Sequence, residues 1–456
     1  MTRTPTVSPM IVTPDVVVPR SVPPLGRVRR PRLPTVAERV IGNGLRVVAV
    51  RRPSVPVVHL RLRVPTAVRR DASLARAQLL ERTMLLGTSQ RDQAGLAEAL
   101  QRIGGSLRVS SDADRLLVAG ESLAGGLADL LGLLGEVLTD AAYPRDQVEG
   151  ARDRLAEQTR RALSQPGVIA DEAWLRTAFG AHPYGREHPS PEEVLAVSPG
   201  SLRSAHRRRL VPDGSLLVLV GDLSPARVLD RVEDLLSAWD SDGHPTQVPK
   251  VPRVKPGPLL LVDRPGAVQS NLRIGGSALS RTDPSYAAQE LANALFGGYF
   301  SSRLVRNIRE DKGYTYSPRS SLQHGDRATF LLLQVDVATE VTAPALLEVG
   351  YELGRMVSLP PTEQEVHDTA QYLIGALALA TSTQAGLAGT LAILLAQGLG
   401  VSWLREHPQR LLAVTPDELH EVARRVLAPA ALLTTVVGDA AVVEGPLAAL
   451  TPVARA

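Results

Sequence analysis

The chain has no cysteine among its 456 residues. That excludes disulfides, thiolate metal sites and a cysteine nucleophile, and it fits a reducing compartment. Aromatic residues make up only 3%, so leucine, valine and alanine must fill the core. No two of the nine histidines stand three or four apart with a carboxylate between them. The helix-borne histidine pair that zinc hydrolases use is therefore missing. There is also no P-loop and no G-x-S-x-G. Residues 1–25 lack a continuous apolar run and are cut by prolines. Neither a signal peptide nor a membrane helix is expected there, and a cytoplasmic protein is the expectation. Residues 369–404 carry no charge, but Thr381, Ser382, Thr383 and Gln384 interrupt them. Two buried helices joined near Thr381 are expected, not a membrane span.

What is present is ordinary for a globular protein: 44% hydrophobic and 21% charged residues. The length calls for two or more domains. The net charge is +4, and the basic residues come in short clusters (Arg27, Arg29, Arg30 and Arg32; Arg69 and Arg70; Arg207, Arg208 and Arg209). No aromatic residues interleave with them, so solvated faces are expected and nucleic acid is not.

The most informative stretch is residues 296–317, FGGYFSSRLVRNIREDKGYTYS. Gly297 and Gly298 break an apolar run. Ser301 and Ser302 offer N-caps for a helix bearing Leu304, Ile308 and Arg309. Gly313 ends it, and residues 314–316 read as the start of a strand. This places Arg309 and Tyr316 where both can face one space. A guanidinium and a phenol there suit a peptide carbonyl and a developing oxyanion.

Two further segments align without gaps. VLAVSPGSLRSAHRRRLVPDGSLLVLVGD (194–222) matches LLAVTPDELHEVARRVLAPAALLTTVVGD (411–439) at an offset of 217, Gly221 against Gly438. LRVVAV near Leu45 likewise matches LLLVDR near Leu259. The chain is thus an internal duplication of α+β domains. The expected division is an arm over 1–36, a first domain over 37–240, a linker over 241–257 and a second domain over 258–456.

Duplication, HPYG (182–185), the two VGD closures and the GG…SSRL…REDKGYTYS string together resemble the M16 (insulinase, or pitrilysin-like) metallopeptidases. The resemblance runs over roughly residues 40–450 and leaves the arm outside. It implies two similar α/β-sandwich domains forming half of a clam-shell chamber. Members that cleave peptides carry H-x-x-E-H on a first-domain helix, with a distal Glu as third zinc ligand. Here the motif positions hold Gln78, Glu81 and Arg82, and Glu157 falls at the distal position. Gln is a poor zinc ligand and Arg would repel the cation. No metal is expected in this chain, and a salt bridge from Arg82 to Glu81 or Glu157 is expected instead. His182 and His188 sit in a proline-rich loop, where capping or packing is expected.

The resemblance therefore implies a helper subunit of a heterodimeric zinc endopeptidase. Zinc would sit in a partner bearing H-x-x-E-H. Arg309 and Tyr316 would assist that site, and Gly297 and Gly298 would approach the peptide substrate. The alternative is a peptide-binding or scaffold protein with no part in hydrolysis.

Overall fold

A computed structural model describes residues 34–66, 71–241 and 243–456, without the side chains of 71–73. The expected arm and the clusters at 27–32 and 69–70 lie outside the described residues, apart from 34–36. Thr35 and Val36 belong to the first strand.

The strands β1 Thr35–Val40, β2 Arg46–Arg51, β3 Val57–Pro65, β4 Ser106–Ser111, β5 Arg115–Leu123 and β6 Leu216–Gly221 form one sheet. Its order is β1-β2-β6-β3-β5-β4. The strands β7 Leu259–Asp263, β8 Gln269–Ala278, β9 Arg319–His324, β10 Thr329–Ala338, β11 Leu433–Gly438 and β12 Val453–Arg455 form a second, ordered β12-β7-β11-β8-β10-β9. The inner five strands repeat the same topology. In each sheet the strand ending in Gly-Asp runs parallel to the first long strand, β6 to β2 and β11 to β7. Only the outer edge differs. β1 precedes its sheet in sequence, whereas β12 comes from the chain's last residues. The fold is α+β, with two similar sheets.

Alternation along the strands explains how two cores form on each sheet. Val47 and Ala49 face the helices of their own half, while Val48 and Val50 face away from them. The away-facing side is covered by the helix Gln384–Ala396, which comes from the second half of the chain. Its Leu387, Leu391 and Leu395 pack on Val48, Val50, Val218 and Val220. The reciprocal contact also exists. The helix Pro166–Phe179, from the first half, places Trp174 and Phe179 against Phe330, Leu332 and Leu433 of the second sheet. The duplication offset brings these two helices into register, so each half lends the other an equivalent helix.

Within the expected linker, Val248 and Val254 are buried in the Trp174 cluster. The uncharged stretch supplies most of the helix Glu363–Ala380 and all of the helix Gln384–Ala396, which are bent by 111° to one another. Among the described residues no single helix is long and apolar enough to cross a membrane, though this bent pair meets the length and composition criteria. The expectation of two buried helices holds for the second only. Tyr372 and Leu379 on the first are 46% and 76% exposed. The Gln384–Ala396 helix has a whole sheet face to cover, whereas among the described residues the C-terminal half of its predecessor is only partly covered, through Leu373, Ile374 and Leu377.

Candidate functional site

The helix Asp71–Thr83 carries the degenerate metal motif, and two of its polar groups, Glu81 and Gln78, are engaged. Glu81 accepts two hydrogen bonds from Ser111 at the end of β4, one from the backbone N–H and one from the hydroxyl, both 3.0 Å. The Gln78 amide donates to the Glu187 carbonyl at 3.0 Å. Glu157 lies on the helix Arg145–Ala162 and pairs one turn on with Arg161, at 2.9 Å, and with Arg160. These two guanidinium groups hold its carboxyl below the usual range. Arg82 is exposed and reaches neither carboxylate, so the expected Arg82 salt bridge does not form. The i+3 and i+4 arginines of its own helix already occupy the Glu157 carboxylate. A zinc ion does not fit this donor set: one amide, one guanidinium and two engaged carboxylates. No other group of three or more His, Cys, Asp or Glu side chains suited to a metal occurs among the described residues.

Beside this motif lies a cleft of about 400 Å³ that sequence reasoning missed. Gln78, Asp114, Tyr184, Glu187, His188 and His324 help to line it. His182 caps the turn at Pro183 by accepting from the Tyr184 N–H. The Tyr184 hydroxyl then donates to Asp114 at 2.6 Å, and the Asp326 N–H donates to the other carboxylate oxygen at 3.0 Å. Asp326 belongs to the β9–β10 turn, so Asp114 joins the two halves. Arg63 in turn pairs with Asp326. His188 pairs with Glu172 at 3.0 Å, and this bond raises the imidazole above its ordinary pKa. The sequence signal was faint, because these groups are brought together by contacts between residues as much as 212 apart.

Burial pushes the Asp114 carboxyl up to about 6. Between its ordinary value and that one, the folded chain holds a proton that the unfolded chain has released. Stability from this group is therefore full below about pH 4 and is lost as the pH rises through about 6. Urea midpoints of wild type and Asp114→Asn across this window should show a falling wild-type component that the variant lacks. Parallel curves would mean that Asp114 titrates normally.

The second candidate region is built differently. Gly297 and Gly298 lie in the π-helical turn Ala294–Gly298, a form that often marks functional sites. A Cβ on Gly297 would sit 3.0 Å from Ser320, and one on Gly298 would sit 3.2 Å from the Asn293 carbonyl oxygen. Close packing inside the chain thus accounts for both glycines. Ser302 opens the helix Arg303–Val305 without a side-chain cap, and its hydroxyl is buried unpartnered. A second π-helical segment, Arg306–Asp311, follows. Gly313 ends it at φ +65°, as expected. The strand does not begin at 314–316 as expected but at Arg319, after Pro318. A proline has no N–H to give the ladder and holds the residue before it away from helix. Tyr316 therefore stands on a loop.

This segment is braced by its other residues. Arg303 forms a two-pronged pair with Glu365 at 2.8 and 2.9 Å. Asn307 donates to Glu348 and Glu352 at 3.0 and 2.9 Å. Arg309, by contrast, pairs with no carboxylate among the described residues. Its guanidinium lies 4.4 Å from the centre of the Phe300 ring. Tyr316 is 91% exposed.

Comparison with known proteins agrees with this architecture. Residues 46–192 match the family described as Insulinase (Peptidase family M16), and residues 196–373 match Peptidase M16 inactive domain. The chain belongs to the M16 peptidase family. An uncharacterized zinc protease of Mycobacterium leprae is 26% identical over 292 residues, 63% of this chain and 66% of its own length. The match thus spans just under two thirds of that relative. One from Streptomyces coelicolor is 24% identical over 424 residues, 88% of each chain. Among solved structures, a peptidase M16 inactive domain from Pseudomonas fluorescens superposes with a TM-score of 0.81 at 19% identity, covering 89% of this chain and 98% of its own. A protease from Helicobacter pylori gives the same TM-score at 18% identity, covering 89% of this chain and 100% of its own. These two show the fold.

Proposed function

We propose that this chain is the non-catalytic subunit of a two-subunit M16 endopeptidase, half of a closed chamber whose zinc is held by an H-x-x-E-H-bearing partner. The observation that carries the reading is a contrast between two sites. Gln78, Glu81 and Glu157 are all engaged within this chain, while the Arg309 guanidinium and the Tyr316 hydroxyl have no hydrogen-bond partner among the described residues. Arg309 would bind carbonyls or a carboxylate of the peptide through its fork of N–H groups. Tyr316 would donate to the oxyanion that forms when zinc-bound water attacks. The Gly297–Gly298 turn would flank the peptide, bound as an added strand.

The experiment is peptide cleavage by this chain alone and after co-expression with an M16 relative carrying H-x-x-E-H. Activity is expected only in the mixture, with the two chains co-purifying. The zinc content of the purified single chain, measured by atomic spectroscopy, should lie far below one per chain. Equal activity with and without this chain, and no co-purification, would leave a scaffold or peptide-binding role.

A further inference from the structure

The internal duplication allows the two cores to be compared position by position, and they differ at one end. Val48 lies opposite Val218 in the first sheet, and Leu260 lies opposite Thr435 in the second. Leu45 therefore corresponds to Gly257, and Leu217 to Thr434. After the last strand of each pair, the helices Pro225–Leu236 and Ala440–Ala448 each have a leucine as their last buried residue, Leu236 and Leu447. Three residues beyond them come Trp239 and Leu450, whose N–H groups bond back to the Leu236 and Leu447 carbonyls. In the first half Leu45, Leu217 and Trp239 are 0%, 0% and 1% exposed and close the end of the core. The Trp239 indole donates to the Leu210 carbonyl at 3.1 Å.

In the second half the corresponding trio is glycine, threonine and a leucine that is 42% exposed. All three line a cavity of about 610 Å³. Its size lies within the range of small-molecule sites. Leu259 and Ile274 form its floor, and Leu347 and Tyr351, each 57% exposed, stand at its mouth. Exposed large apolar groups gathered around one opening mark a binding surface more often than chance scatter does. Thr434 and Thr451 also line it. Neither hydroxyl has a hydrogen-bond partner among the described residues, so both can receive a ring N–H.

We infer that this cavity binds a small planar aromatic molecule of about the size of indole, in the space that Trp239 fills in the other half. The site lies on the helix-covered side of the second sheet and does not depend on the zinc-partner reading. The ring is held by apolar contact with Leu259, Ile274 and Leu450, and a hydroxyl of Thr434 or Thr451 fixes its orientation.

Indole is the probe. Calorimetric titration of the full chain should show saturable binding, and the unfolding midpoint should rise with indole concentration. Gly257→Leu combined with Leu450→Trp rebuilds the first-half packing. A Cβ at Gly257 meets nothing within 4 Å, and its φ is not positive, so the glycine can be replaced without strain. The filled variant should melt higher than wild type and lose indole binding. If that variant does not fold, Leu347→Asp at the mouth tests the same point and should weaken indole by about tenfold or more. No saturable binding by wild type up to the solubility of indole would overturn the assignment. Undiminished affinity in the folded filled variant, or in Leu347→Asp, would do so too.

Discussion

Replacing Tyr316 by Phe in the proposed two-subunit peptidase should lower kcat/KM by about 100- to 1,000-fold, the usual effect of removing one oxyanion donor. The folded chain should scarcely notice the change. Tyr316 is 91% exposed on a loop, and its hydroxyl has no hydrogen-bond partner among the described residues. Arg309→Ala should cost activity on a similar scale, and Arg309→Lys should recover only part of it, because an ammonium cannot grip a carbonyl pair as a fork does. The fold loses only the stacking of Arg309 on Phe300, about 0.5–1 kcal/mol at an exposed site. Single-turnover cleavage, the melting temperature and co-purification should therefore separate cleanly. Unchanged cleavage by both variants would move the protein to the scaffold reading.

The largest effect on stability is expected at Trp174. Its side chain is fully buried, stacks on Phe330 with ring centres 5.5 Å apart and donates to the Leu433 carbonyl at 3.2 Å. Gly275 of β8 makes room for it, since a Cβ there would come within 2.6 Å of the indole. Trp174→Ala should lower the unfolding free energy by about 3–5 kcal/mol, from lost burial and the cavity left behind. Trp174→Phe should recover most of the packing term but not the hydrogen bond. Equilibrium urea unfolding measures both. A loss under about 1 kcal/mol would mean that the helix Pro166–Phe179 does not hold the second sheet.

Much of this was legible before any coordinates. The offset of 217 residues predicted two equivalent sheets, and the Gly-Asp closures marked β6 and β11 within them. Gly313 marked the end of its helical segment because a positive φ is local chemistry. The departures have physical causes of another kind. The partners of Glu81 and Glu157 were misassigned because a carboxylate pairs with whatever donor its backbone brings nearest, and Ser111 is 30 residues from Glu81. The aromatic residues Tyr314 and Tyr316 suggest a strand from 314, but Pro318 has no N–H for the ladder and β9 begins at Arg319, five residues on. The Asp114–Tyr184–Asp326 junction was invisible because it depends on how the two halves meet. The unequal ends of the two cores were likewise hidden until strand register aligned Leu45 with Gly257.

The exchanged helices also bear on how such a chain could arise. A single half, standing alone, would leave Val48, Val50, Val218 and Val220, or Phe330, Leu332 and Leu433, facing water. Two copies of one half, each giving its helix to the other, would bury those same faces. A one-domain forerunner of this fold would thus have been obliged to exist as a swapped pair. Joining the two copies in one gene would have turned an encounter between molecules into a contact within one, free of any dependence on concentration. Once that tie was covalent, the two copies no longer had to stay alike. One half now carries a buried Trp239 where the other carries a cavity.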